Sequence, residues 1–143
     1  MYYVDTSVVV AYYCPESLSE SAESFLMTHG RPAVSSLTEV EFFSALSRKI
    51  RESEMDRKDA QRIKAKFFSH LDGGFYVRLP VRSHHYSLAR DWIGLFNTKL
   101  KALDAVHLAI ASAEGLRLVT ADQDLHDSAK ALAQEVLLLK PSK

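Results

Sequence analysis

The chain has 143 residues, 47% of them hydrophobic, and its 18 Lys and Arg are balanced by 18 Asp and Glu. That length and apolar content suit one globular domain over residues 1–143. The absence of net charge means no global positive field draws in nucleic acid, so a polyanion site must rest on local clusters or bound cations.

The single cysteine, Cys14, excludes an internal disulfide and a thiolate metal cluster, and reads as a small buried apolar residue. The opening residues show no basic segment ahead of an apolar stretch with a small-residue cleavage site. No uncharged run approaches the ~18 to 20 residues that span a bilayer. The expectation is a protein with no membrane anchor that works in the cytoplasm.

In chain order, Tyr2 to Val4 is a β-prone run ending at Asp5-Thr6-Ser7, three residues of helix-capping type, and Val8 to Tyr13 can form a short buried helix. Ser17 to Met27 has helical spacing through Leu18, Ala22, Phe25 and Leu26. Ala33 to Ser35 is a second strand, after which Ser36 or Thr38 can cap a long helix carrying Val40, Phe43, Leu46 and Ile50. The pattern then predicts a helix from about Asp56 to Leu71, a strand over Phe75 to Leu79 ended by Pro80, and a helix from His84 to Phe96. Ala102 to Glu114 reads as a helix closed by Gly115, Leu116 to Val119 as a strand, Gln123 to Ala133 as a helix and Val136 to Leu139 as a last strand. Short apolar strands alternating with helices imply an α/β sandwich: a mostly parallel sheet of four to five strands, covered by helices on both faces.

In such a sheet the ligand crevice lies outside the carboxyl ends of the strands. Asp5 follows the first strand, and Asp122 and Asp124 follow the fourth, so all belong to one edge. Taken singly, Asp5 and Asp122 also suit plain helix caps. Asp104 lies in a segment, LKALDAVHLAIA, that is apolar nearly all round. A helix dipole offers a first-turn carboxylate about 0.3 to 1 kcal/mol, whereas burying it ionised costs several unless it is paired or binds a metal. His107, one turn on, reads as a hydrogen-bonded core histidine, since no second histidine has ligand spacing to it.

After the second strand, Glu39 and Glu41 point in different directions, so only one faces the crevice. Small residues at Ser44 and Ala45 favour Glu41, while periodicity alone leaves the choice open. Carboxylates converging on one crevice cannot all stay ionised unaided. An all-oxygen ligand set favours Mg²⁺ or Mn²⁺, and such ions suit attack of water on a phosphodiester.

Four short motifs then fall into a known order: Val4-Asp5-Thr6-Ser7, Ser35-Ser36-Leu37-Thr38-Glu39-Val40-Glu41, Leu103-Asp104-Ala105-Val106-His107-Leu108-Ala109 and Val119-Thr120-Ala121-Asp122. With them the chain resembles a PIN-domain ribonuclease of the VapC toxin type over essentially its whole length. The resemblance implies a Mg²⁺- or Mn²⁺-dependent endoribonuclease in which Asp5 and Asp104 are the principal metal ligands. Glu41 and Asp122 would complete the acidic site, with Asp124 as a looser further member and Thr6, Ser7 and Thr120 as supporting hydroxyls. It also implies a small VapB-like antitoxin as partner, RNA as substrate, and a homodimer. A second reading is a PIN-like module that binds RNA or a partner without cutting.

The stretch from Arg48 to Lys66 is rich in basic residues and reads first as a solvated helical face, with phosphate guidance as its functional alternative. Lys99 and Lys101 precede Asp104 and suit contact with a substrate phosphate. Trp92 and Phe96 share a helical spacing that fits the core, or a dimer or antitoxin surface if exposed.

Overall fold

The structure, a computed structural model, describes residues 1–142. Five strands, β1 (Tyr2–Val4), β2 (Ala33–Ser35), β3 (Val77–Leu79), β4 (Arg117–Thr120) and β5 (Val136–Leu138), form one sheet in the order β3-β2-β1-β4-β5. Every neighbouring pair is parallel. A parallel strand needs a crossover to return to its starting edge, which is why helices occupy the intervals. These are α1 (Thr6–Tyr13), α2 (Ser19–Thr28), α3 (Ser36–Arg51), α4 (Arg57–Asp72), α5 (Ser83–Ile93), α6 (Ala102–Ala113) and α7 (Gln123–Ala131).

Strand side chains alternate between two apolar layers, as the pleat requires. Val4, Val34 and Val119 pack with α1 to α4, where Phe42 and Phe67 are fully buried with ring centroids 4.5 Å apart. Tyr3, Ala33 and Leu118 face the other way and pack with α5, α6 and α7. The central strands are thus buried on both faces, which accounts for their near-continuous apolar sequences.

Several boundaries differ from the sequence expectation. β3 starts at Val77, because Phe75 and the buried Tyr76 are used in the α1–α4 layer before the strand begins. Helix α5 stops at Ile93 with Gly94 as its cap, so Phe96 lies beyond it, 90% exposed, and the helical pairing of Trp92 with Phe96 does not form. The cap of α3 is Ser35, one residue before Ser36. Ser35 Oγ accepts from Thr38 N, and Thr38 Oγ1 accepts in return from Ser35 N.

Strand order places β1 and β4 side by side, although their sequence neighbours β2 and β5 lie on opposite flanks. That is the switch point of an open α/β sheet, where the connections leave in opposite directions and a crevice opens at the strands' carboxyl ends. Asp5 N donates to Val119 O at 3.0 Å there, fixing the start of α1 against β4.

Candidate functional site

Asp5 leaves β1 at this switch point and is 4% exposed. Its Oδ1 accepts from Ser7 Oγ at 2.5 Å and Val8 N at 3.3 Å, and its Oδ2 accepts from Thr120 Oγ1 at 2.5 Å. Asp5 is therefore the helix cap that its sequence position suggests, and it is also locked to β4 by Thr120. Burial pushes its carboxyl above the usual carboxylate range, opposed by His107 and by the Ser7, Thr120 and Val8 donors.

Asp122 caps α7, accepting from Leu125 N at 3.1 Å, and its own N–H donates to Thr120 Oγ1 at 3.0 Å. One threonine hydroxyl thus links the backbone of Asp122 to the carboxylate of Asp5. Ser7 does the same from the other side, since its Oγ accepts from Ala121 N at 3.1 Å.

Of the two glutamates on α3, Glu39 pairs with Arg78 at 3.0 Å on the surface. Glu41 turns inward. Its Oε1 accepts from Thr6 Oγ1 at 2.6 Å and lies 2.5 Å from His107 Nε2. Burial pushes the Glu41 carboxyl up, but the hydrogen bonds from His107 and the Thr6 hydroxyl outweigh it, leaving the group below its ordinary value. Thr6, Ser7, Glu41, Ser44, Ala45 and Arg48 line one open groove of about 450 Å³, so the small residues after Glu41 do leave space beside it.

Asp104, in the first turn of α6, has a carboxyl pushed up to about 6. The cause is burial first, then the negative charges of Asp122 and Asp5, opposed by His107, with Glu41 adding to the rise, and no hydrogen bond among the described residues acts on it. Four carboxylates from the ends of β1 and β4 and from the starts of α3 and α6 therefore share one electrostatic site. Asp124 is exposed on α7, two residues after Asp122, and lines a depression with Lys99 and Asp127, apart from the groove that contains Glu41. Lys101 is exposed at the cap of α6.

His107 is buried and hydrogen-bonded, as the sequence suggests, but its partners make it part of the site. Its Nδ1 lies 2.6 Å from the hydroxyl of buried Tyr3, and its Nε2 meets Glu41 and, at 3.3 Å, Thr6 Oγ1. The spacing of one helical turn from Asp104 was the available signal.

Among the described residues, one trio of His and acidic side chains has candidate ligand atoms within 4.8 Å of one another: His84, His85 and Glu114, at the opposite end of α6 from Asp104. His85 Nδ1 accepts from Arg82 N at 2.9 Å, which commits that ring as a helix cap and leaves the proton on Nε2. No three of the four carboxylates meet that spacing among the described residues.

Comparison with known proteins follows the same lines. Residues 2–131 match the family model of the PIN domain. The chain is 33% identical over 138 residues to Ribonuclease VapC46 of Mycobacterium tuberculosis, covering 94% of this chain and 95% of that protein. The chain belongs to the PIN domain family, in its VapC branch. Among solved structures, this PIN domain is similar to VapC20 of Mycobacterium tuberculosis, described as a sarcin-ricin loop cleaving toxin. That match has a TM-score of 0.70 and 16% identity, covering 90% of this chain and 95% of VapC20. It is also similar to VapBC2 from Rickettsia felis bound to a promoter DNA fragment, with a TM-score of 0.66, 16% identity, and coverage of 97% and 98%. At these identities the two solved structures establish the shared fold. No helix among the described residues is long and apolar enough to cross a membrane.

Proposed function

We propose that this chain is a ribonuclease that hydrolyses RNA phosphodiester bonds as the toxin of a toxin–antitoxin pair, with Mg²⁺ or Mn²⁺ held by Asp5, Glu41, Asp104 and Asp122. The observation that carries the reading is the state of Asp104, whose carboxyl is pushed up to about 6 by burial among other carboxylates. A divalent cation relieves that stress, and an all-oxygen donor set without thiolate fits a hard ion. When bound, such an ion lowers the pKa of its water and neutralises charge on a phosphate.

The chain's own residues supply the rest. Ser7, Thr120 and the Val8 N–H hold Asp5 in one orientation, so its carboxylate needs little reorganisation to receive a ligand. Thr6 and His107 do the same for Glu41. Arg48, in the groove that contains Glu41, meets the phosphate of a strand laid along α3. Lys101 meets one from the side of α6. Asp124 stands outside this set.

RNA as substrate is supported by the relatives' names, Ribonuclease VapC46 and the loop-cleaving VapC20, and a small antitoxin partner by the VapBC2 complex. In this reading residues 1–143 work as one domain, in the cytoplasm, as a homodimer neutralised by a VapB-like antitoxin. The test is direct: purified protein cuts RNA with added Mn²⁺ or Mg²⁺ and stops with EDTA, and mapping the new RNA ends gives the target. RNA left intact at millimolar metal overturns the assignment.

A further inference from the structure

Behind the His107 contact with Glu41, a hydrogen-bond chain, Ser35–Tyr3–His107–Glu41, continues into the core. Ser35 ends β2 and caps α3, Glu41 lies on α3, Tyr3 on β1 and His107 on α6. Tyr3 Oη is 2.8 Å from Ser35 Oγ and 2.6 Å from His107 Nδ1, and His107 Nε2 is 2.5 Å from Glu41 Oε1. Tyr3, Ser35 and His107 are all at most 2% exposed, so water does not compete for these contacts.

With the His107 ring neutral, the donors and acceptors run in one consistent direction. Glu41 Oε1 already accepts from Thr6 Oγ1 and offers no proton, so the His107 proton on that side belongs to Nε2. Nδ1 is then an acceptor and takes the Tyr3 hydroxyl proton. Burial pushes the Tyr3 phenol well above its ordinary value, which keeps that proton in place. The Tyr3 oxygen in turn accepts from Ser35 Oγ, whose own lone pair receives Thr38 N. Every hydrogen has a destination, and the chain ends on α3 at Glu41.

From this geometry we infer that Tyr3 and His107 are positioning residues for the metal site: they fix Glu41 by its Oε1, so that Oε2 is the oxygen presented to the ion. The inference rests on the metal-binding reading of Glu41. Thr6 and His107 both converge on Oε1, and no hydrogen bond among the described residues reaches Oε2. Without the Nε2 donor, Thr6 alone holds the glutamate beside three other carboxylates. Without the Tyr3 hydroxyl, His107 loses the contact that selects its tautomer, as outer partners of metal ligands commonly do.

The experiment has a metal-free arm and a metal arm. Long-range ¹H–¹⁵N NMR of the metal-free protein locates the His107 proton, expected on Nε2; a proton on Nδ1 overturns the inference. Mn²⁺ binding is followed by the loss of the free-ion paramagnetic resonance signal for wild type, Tyr3→Phe, His107→Leu and His107→Gln. Removing either relay member weakens Mn²⁺ binding about tenfold or more, whereas His107→Gln, whose amide N–H can occupy the Nε2 position, keeps most of the affinity. A merely structural role predicts lower melting temperatures with unchanged affinity. If His107→Leu does not fold, Tyr3→Phe, which removes one oxygen, and the NMR arm still decide. Wild-type Mn²⁺ binding with equal binding by folded Tyr3→Phe overturns this inference alone; a wild type that binds no Mn²⁺ overturns the metal site and the inference with it.

Discussion

Glu41 Oε1 and His107 Nε2 lie 2.5 Å apart although 66 residues separate them in the chain. This contact gives Glu41 a donor that Asp104 lacks. The two carboxyls are consequently driven in opposite directions, Glu41 downward by His107 and Thr6 against its burial, Asp104 up to about 6 by burial and its acidic neighbours. One carboxylate is held ready and the other is held under stress.

Removing the stressed charge stabilises the metal-free protein. Asp104→Asn keeps the shape and deletes the repulsion with Asp122 and Asp5. The gain is ~1 kcal/mol, less than the full shift implies because the side chain is partly exposed. A gain of that size raises the melting temperature by about 3 °C for a domain of this length. Differential scanning calorimetry without metal checks it, and the same variant is expected to lose the further rise that Mn²⁺ gives the wild type. A fall in metal-free stability contradicts the electrostatic account of Asp104.

The pH dependence has a definite sign. In the folded chain the Asp104 carboxyl is raised from 3.8 to about 6, so between those values the folded state keeps a proton that the unfolded chain has released. Its contribution is fully present below the unfolded value and is lost as pH rises through about 6. Asp5 shifts in the same direction and Glu41 in the opposite one. Metal-free melting temperature therefore falls between about pH 4.5 and 7 more steeply in wild type than in Asp104→Asn. Mn²⁺ competes with that proton, so its affinity rises about tenfold per pH unit below about pH 6 and levels off above. Melting curves and calorimetric titrations across this range check both slopes.

Much of this fold is legible in the sequence because parallel strands buried on both faces write themselves as short apolar runs, as Tyr2 to Val4 and Ala33 to Ser35 do. Strand-end position alone marks Asp5 and Asp122. What was not legible depends on apposition. Phe75 and Tyr76 look like strand residues, yet they are core residues of the α1–α4 layer, and a β-prone aromatic run carries no mark that separates the two uses. Glu41 is distinguished from Glu39 by Arg78, which arrives on a strand 39 residues later. His107 is the clearest case, because its role follows from Tyr3 and Glu41 reaching it from two other elements. Asp124 has the sequence position of a site residue, and α7 sets it beside Lys99 in a depression apart from the Glu41 groove.

The layer beneath α3 carries the site mechanically. Phe67 of α4 is fully buried against Phe42, the residue after Glu41. Phe67→Ala leaves a cavity there and costs about 3 to 5 kcal/mol. Urea unfolding monitored by circular dichroism measures it, with a cost under about 1 kcal/mol contradicting the packing described.

Arg48 and Asp124 separate the groove from the surface around it. Arg48→Ala raises KM for RNA with little change in kcat, and lowers the slope of log KM against log salt by about one, as expected for one lost phosphate contact. Asp124→Asn changes cleavage by less than about twofold, as expected for an exposed side chain in the Lys99 depression rather than the Glu41 groove. Steady-state cleavage at several salt concentrations distinguishes the two, and an Asp124 variant as impaired as a groove variant requires a larger site.

The central claim is that the acidic quartet of this PIN domain cuts RNA with a divalent ion. Its most direct test is cleavage of total RNA in Mn²⁺ by wild type and Asp5→Asn side by side, each with native circular dichroism. Cutting by the wild type, abolished in Asp5→Asn, is the predicted result; equal cutting by the two proteins contradicts the claim.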